Sequence, residues 1–150
     1  MPDTRGLRVD EYRALAELRY LIRCFLNFSE EQARAADIEP QQHQLLLVLK
    51  GLKPPERPTI ATIARRLQIR HNSAVELVQR SVERGMVGRR TASEDRREAS
   101  LYVTAQGAHV LRRLSFAHRS ELRSAAPVLV KALEALVGRR DTRRGSEKKR

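Results

Sequence analysis

Residues 59–103 read TIATIARRLQIRHNSAVELVQRSVERGMVGRRTASEDRREASLYV, and the order of periodicities along this stretch decides the fold. Thr59 can accept a hydrogen bond from a free N–H of a first helical turn. Ile60, Ile63, Ala64 and Leu67 follow at helical spacing as one apolar stripe, with Arg65 and Arg66 outside it. Gln68-Ile69-Arg70-His71 breaks the stripe without any Gly or Pro. A second helix is predicted from about Asn72 to Arg84, with Val75, Val78 and Val82 as its buried face, helped by Ala74 and Leu77. Gly85 stands where a left-handed residue ends a helix. Met86-Val87 then starts a strand, Thr91-Ala92-Ser93-Glu94-Asp95 forms a polar turn, and Leu101 and Val103 alternate with Tyr102 in a return strand. Helix, turn, helix and hairpin in that order predict a mainly α protein built on a winged helix-turn-helix.

The second helix presents Asn72, Ser73, Glu76, Gln79, Arg80 and Glu83 on one outward side, and Arg70 and His71 lead into it. Side chains of these types read base edges or hold phosphates, and a helix N-terminus adds a positive dipole end. The hairpin carries Arg89, Arg90, Arg96 and Arg97 near its tip, which suits a minor-groove or phosphate probe. A polar helix face or a charged hairpin alone is equally a solvated surface; it is their direct succession that points to nucleic acid. The base-reading candidates are His71, Asn72, Ser73 and Glu76. The phosphate or wing candidates are Thr59, Arg70, Arg80, Arg89, Arg90, Arg96 and Arg97. Glu76 can accept from a cytosine amine; Glu83 is expected to face away or to pair with Arg80 or Arg84.

The ordered set Thr59, Ile63-Ala64-Arg65-Arg66-Leu67, Ser73-Ala74-Val75, Gly85-Met86-Val87, Arg89, Asp95-Arg96-Arg97, Leu101, Val103-Thr104 and Gly107 resembles the MarR family of bacterial transcription regulators. Its most specific part is Asp95-Arg96-Arg97, three residues, then Leu101, Val103-Thr104 and Gly107, running from the wing into the next helix. The similarity covers roughly residues 10 to 137. Ser81 departs from it, because the family usually places Leu there. The resemblance implies a two-fold dimer whose terminal helices interlock, an Asp95 that shapes the wing by ion pairing, and a pocket for a small aromatic or phenolic effector where the dimer helices meet the DNA-binding lobe.

Outside the pivot, residues 1–9 read as a flexible arm. A long helix is expected from Asp10 to Phe28, striped by Leu15, Leu18, Ile22 and Phe25 and widened by Ala14, Leu21, Leu26 and Phe28. Such a wide apolar face suggests a partner helix. Ser29-Glu30-Glu31-Gln32 reads as a capping box for a short continuation to Ala36. Asp37-Ile38-Glu39-Pro40 reads as a stop and restart. Helix Gln41 to Leu52 presents Leu45, Val48, Leu49 and Leu52, and Lys53 to Pro58 reads as a rigid, extended linker. After the wing, Thr104 caps a helix lined by Ala108, Leu111, Leu114 and Leu122; Pro127 should bend or restart it before Val128, Leu129, Leu133 and Leu136, and Gly138 should end it. The organisation expected is therefore a helical dimerisation region of residues 10–36 and 105–137, a DNA-binding region of residues 37–104, and a disordered basic tail of residues 138–150. A symmetric dimer would set two recognition helices about 34 Å apart, on an inverted-repeat operator.

The formal net charge of +12 is unevenly placed: residues 1–57 are neutral overall, while the segments from residue 58 onward are all positive. That asymmetry favours a polyanionic partner. No apolar run is long enough to span a bilayer, no signal peptide is visible, and the single cysteine fits a cytoplasmic protein. No Walker loop, dinucleotide fingerprint or nucleophile elbow occurs, so no enzyme and no cofactor are expected. His43, His71, His109 and His118 make no metal spacing with one another, with Cys or with carboxylates; His43 reads as a surface or interface residue. Cys24 lies on the first helix with Tyr20 one turn before it and Arg19 and Arg23 nearby. Some MarR-like regulators sense oxidants through a cysteine on that helix, although a free cysteine is mostly a small buried hydrophobe. The leading expectation is a dimeric, sequence-specific repressor released by an effector. The alternatives are a non-specific nucleoid-type DNA-binding protein, a redox sensor acting through Cys24, and a winged helix that binds protein.

Overall fold

The computed structural model describes residues 6–91 and 99–138. It is mostly helical, in the order α1 (Val9–Ala35), α2 (Pro40–Gly51), α3 (Ile60–Leu67), α4 (His71–Glu83), β1 (Val87–Arg90), β2 (Ser100–Val103) and α5 (Ala105–Val137). The chain divides into two compact units, one of residues up to Asn27 together with those from Arg119 onward, the other of Phe28–His118.

The Phe28–His118 unit holds most of the core. Leu45 and Leu46 of α2, Ile63 of α3, Ala74, Leu77 and Val78 of α4, and Met86, Val87 and Leu101 of the hairpin are buried, with Leu111 and Leu114 of α5 joining them. Truncating any one of the large members to Ala removes about 2–5 kcal/mol, so this small lobe depends on each. The boundaries follow local chemistry. Thr59 Oγ1 accepts from Thr62 N–H at 3.3 Å and opens α3. Gln68 closes it in the left-handed region (φ 55°), with Gln68 N–H donating to the Arg65 carbonyl and Ile69 N–H to that of Ala64. The side chain of Gln68 also donates to the Arg65 carbonyl, at 2.7 Å, which helps a residue other than glycine hold that conformation. Gly85 (φ 71°) ends α4 in the same way, its own N–H reaching Val82 and that of Met86 reaching Ser81.

β1 and β2 pair antiparallel with Val87 opposite Val103 and Arg90 opposite Ser100. The hairpin is joined to the lobe by Leu101 N–H donating to the Pro58 carbonyl at 2.8 Å. Thr104 then caps α5: its Oγ1 accepts from Gly107 N–H at 3.1 Å and donates to the Gly85 carbonyl at 2.6 Å.

Several local expectations are corrected. Ser29 does not open a new helix; α1 runs through it, and the residue is buried with its hydroxyl on His118 Nε2 at 2.7 Å. Asp37, in the left-handed region at φ 58°, makes the actual stop, and Pro40 begins α2. The linker is not extended throughout. It turns at Pro54–Pro55, whose peptide is cis, and Glu56 N–H returns to the Lys53 carbonyl at 3.1 Å because the Glu56 carboxylate is drawn to Arg65 and Arg66 of α3. That pairing, with Arg66 first and Arg65 second, holds the Glu56 carboxyl down at about 2. Pro127 neither stops nor restarts α5: one backbone rung is lost there, and helix continues on both sides to Val137, where Gly138 (φ 75°) ends it.

His43 is buried, not at the surface. Its ring lies 4.7 Å from that of His118, centroid to centroid, and Phe28 meets His118 edge-on. His118 Nδ1 faces the Leu114 carbonyl at 2.6 Å and therefore donates, so that Nε2 of the neutral ring accepts from Ser29. Burial first, and the neighbouring His118 second, lower His43 to about 4.

In the unit formed by the chain ends, α1 leaves Tyr12, Leu15, Tyr20, Ile22 and Leu26 exposed, and α5 leaves Leu122, Val128, Val130, Leu133 and Val137 exposed. Cys24 is exposed as well, against the usual tendency of a free cysteine. The Tyr20 hydroxyl is hydrogen-bonded to this thiol, which raises the Tyr20 pKa above its ordinary value.

Candidate nucleic-acid interface

α4 sorts its residues sharply. Ala74, Leu77, Val78 and Ser81 are buried, and Asn72, Val75, Glu76, Gln79 and Glu83 face outward. The buried face is thus one residue round from the expected valine stripe. Val75 is 40% exposed and Ser81 is fully buried. Ser81 satisfies its hydroxyl by donating to the Leu77 carbonyl at 2.8 Å, which is how a polar residue occupies a core position one turn along the same helix. Val75 adds a methyl-bearing side chain to an otherwise polar face, a type that fits the thymine methyl in the major groove.

At the N-terminus of α4, Arg70 takes an extended conformation and provides no side-chain cap. The first N–H groups of the helix therefore point outward at its positive dipole end. Arg70, His71, Asn72 and Ser73 are exposed around them, with Glu76 one turn further on. None of these five side chains has a hydrogen-bonding or ionic partner among the described residues. A helix tip so exposed, with its positive dipole end outward, can meet a phosphate or a base edge without first breaking a contact among the described residues.

The remaining candidates are placed differently. Thr59 is half-buried and its hydroxyl is used within α3, on Thr62. Arg80 is bound through two nitrogens to Glu39, Nε–Oε1 at 3.2 Å and Nη2–Oε2 at 3.0 Å. Arg89 reaches from the wing to α4, donating to Gln79 Oε1 at 2.9 Å, and Gln79 Nε2 in turn donates to Glu83 Oε1 at 2.9 Å. Glu83 therefore answers Gln79 and pairs with neither Arg80 nor Arg84. Arg90 lies over the Tyr102 ring, 4.6 Å from its centroid, a contact worth about 0.5–1 kcal/mol at an exposed site. The ring can lie there because its cross-strand neighbour is Gly88, where a Cβ would stand 2.2 Å from Tyr102 Cζ. Asp95, Arg96 and Arg97 lie outside the described residues, as do most of the expected arm and nearly all of the expected tail. Gln79, Val75 and Tyr102 are the members that sequence reading did not select. For Gln79 the available signal was Glu83 four residues later, a spacing at which an amide and a carboxylate meet on one helix face.

Among the described residues no three His, Cys, Asp or Glu side chains gather as a metal site, and no helix is long and apolar enough to cross a membrane. Beside the winged lobe's core a 140 Å³ pocket is lined by Gln32, Ala35, Ala36, Val110, Arg113 and Leu114.

Two helices meeting through a short turn, the second carrying a free polar tip and followed by an arginine-bearing hairpin, define a winged helix-turn-helix protein. Residues 36–98 match the MarR family model, so the winged-helix segment of this chain is similar to that family. The fold agrees. AbsC, a MarR family transcriptional regulator from Streptomyces coelicolor, superposes with a TM-score of 0.69 at 18% identity over 87% of this chain and 91% of its own. The MarR family transcription regulator SP03579 gives 0.69 at 20% identity over 82% of each chain. MepR of Staphylococcus aureus, in a complex with DNA, gives 0.57 at 18% identity over 79% of this chain and 96% of its own. No curated protein sequence matches.

Proposed function

We propose that the chain is a homodimeric, sequence-specific DNA-binding repressor acting on an inverted repeat, with residues 37–104 contacting DNA and residues 10–36 and 105–137 forming the dimer. The observation that carries this reading is the tip of α4: Arg70, His71, Asn72, Ser73 and Glu76 are exposed, and have no partner among the described residues, around a helix N-terminus without a side-chain cap. His71, Asn72, Ser73 and Glu76, with Val75 beside them, read bases. Arg70 and the wing arginines Arg89, Arg90, Arg96 and Arg97 hold phosphates, and Asp95 shapes the wing. The exposed apolar faces of α1 and α5 support dimerisation, since a second copy covers both at once. That MepR has been captured on DNA supports duplex DNA as the partner. The pocket beside Arg113 supports a small aromatic acid or phenol as effector. Its volume suits one ring, and the guanidinium suits an anionic substituent. Release requires that the effector prefer the unbound spacing of the two α4 helices.

The test uses a duplex selected by the protein from a random pool, compared with random-sequence DNA at one salt concentration. Asn72→Ala should cost about 1–3 kcal/mol on the selected duplex and little on the random one. If the unaltered protein binds both equally, it is a non-specific, nucleoid-type binder and the repressor reading fails. The exposure of Cys24 favours a second mode of release, by oxidation. A Cys24→Ser protein that still leaves DNA on peroxide treatment would remove it.

A further inference from the structure

Arg80 and Arg84 stand one turn apart on α4, and both reach the short corner between α1 and α2. Arg80 forks onto the Glu39 carboxylate. Arg84 donates to the Asp37 carbonyl oxygen and lies 3.3 Å from the Asp37 carboxylate. The corner that receives them is stiff: Asp37 is set in the left-handed region, Glu39 N–H donates to Gln42 Oε1 at 3.0 Å, and Pro40 fixes the first turn of α2. The polar side chains of α4 are thus divided, the first half free for a ligand and the second half tied to the lobe.

We infer that Arg80 and Glu39 form a clamp that sets the direction of α4 against the α1–α2 corner, which makes Arg80 a positioning residue for base reading instead of a phosphate ligand. The inference rests on the DNA-binding reading above. Two parallel N–H···O bonds constrain direction as well as distance. The side chains are 42% and 47% exposed, so the pair adds little to folding stability and acts chiefly on orientation. A phosphate that drew Arg80 away would leave the Glu39 carboxylate unpaired beside a polyanion, so the pair presents almost no net charge to DNA.

Three measurements test the clamp. Arg80→Gln should leave the salt slope on random-sequence DNA unchanged while lowering the ratio of selected to random affinity. A slope reduced by about one unit makes Arg80 a phosphate ligand and overturns the inference. Arg80→Glu should weaken binding to the selected duplex by about tenfold or more, and Glu39→Arg combined with Arg80→Glu, which restores the original net charge, should return to within about threefold of the unaltered protein. A double variant no better than Arg80→Glu overturns it. The urea midpoints of Arg80→Glu, Glu39→Arg and the double variant should also be non-additive, the double variant losing less than the two single variants together, and strict additivity overturns the clamp. That last measurement needs no DNA, so it judges the clamp even if the unaltered protein proves to bind no duplex, an outcome that would sink the DNA-binding reading instead.

Discussion

Replacing Gly107 by Ala tests how the wing is joined to the lobe. Gly107 lies in the first turn of α5, and a Cβ built on it would stand 2.2 Å from the Met86 carbonyl oxygen and 3.0 Å from both Met86 C and Val103 Cγ1. Neither backbone atom can swing aside. The Met86 carbonyl already accepts from Thr104 N–H at 3.0 Å, and Gly107 N–H is held by Thr104 Oγ1 at 3.1 Å. The start of α5 and the residue that begins the wing must therefore separate by about 1 Å to reach an ordinary contact distance. Overpacking of this kind costs about 1–3 kcal/mol. Weakening a backbone bond in the cap adds about 1 kcal/mol, and the better helix propensity of Ala returns about 1 kcal/mol. The net expectation is a loss of about 1–3 kcal/mol, read as a urea midpoint lowered by roughly 1 M at an ordinary denaturant slope of about 2 kcal/mol per M. Gly51→Ala is the control, because a Cβ at Gly51 meets nothing within 4 Å. It should be neutral or stabilise by several tenths of a kcal/mol, roughly. Equal midpoints for the two variants would refute the close-approach argument.

Two further outcomes follow from the buried polar groups. Ser81→Leu, which inserts the residue usual in the MarR family, should destabilise by about 1–3 kcal/mol, since Ser81 is fully buried and a larger side chain overpacks its surroundings; a higher urea midpoint would show that the core relaxes around the added carbons. His43 binds its proton at about 4 in the folded state, below its ordinary value near 6.5, so the unfolded chain takes up a proton first as pH falls. Stability should decline between about pH 6.5 and 4, at up to about 1.4 kcal/mol per pH unit, and this part of the decline should vanish in His43→Met. Glu56 also has a depressed folded value, about 2, so its contribution is present above the ordinary carboxylate range and disappears only as pH falls further towards 2. Urea midpoints at pH 7, 5.5 and 4.5 isolate the histidine, and an unchanged profile in His43→Met would remove it as the cause.

The features legible in the sequence are those decided within one or two helical turns. Thr59 opens α3, Gly85 and Gly138 end α4 and α5, Asp37 to Pro40 separates α1 from α2, and the order of helix, turn, helix and hairpin identifies the winged helix. Each of these rests on contacts between residues a few positions apart, or on the backbone freedom of a single residue, so a linear pattern contains the information. The exposed tip of α4, the core of the candidate site, is legible for the same reason.

What only the tertiary structure decides are the choices between two locally equal options. Ser29 has the chemistry of a helix cap, yet α1 continues through it because His118, 89 positions away, accepts a hydrogen bond from its hydroxyl. Val75, expected in the core, is exposed and Ser81 is buried because the lobe buries the face centred on Ala74, Leu77 and Val78. His43 and His118 become neighbours only through the packing of α2 against α5. Arg80, indistinguishable in the sequence from the arginines left free for DNA, is taken by Glu39 across 41 positions. Burial and ion pairing depend on which surfaces meet in space, and a chain read one turn at a time does not contain that.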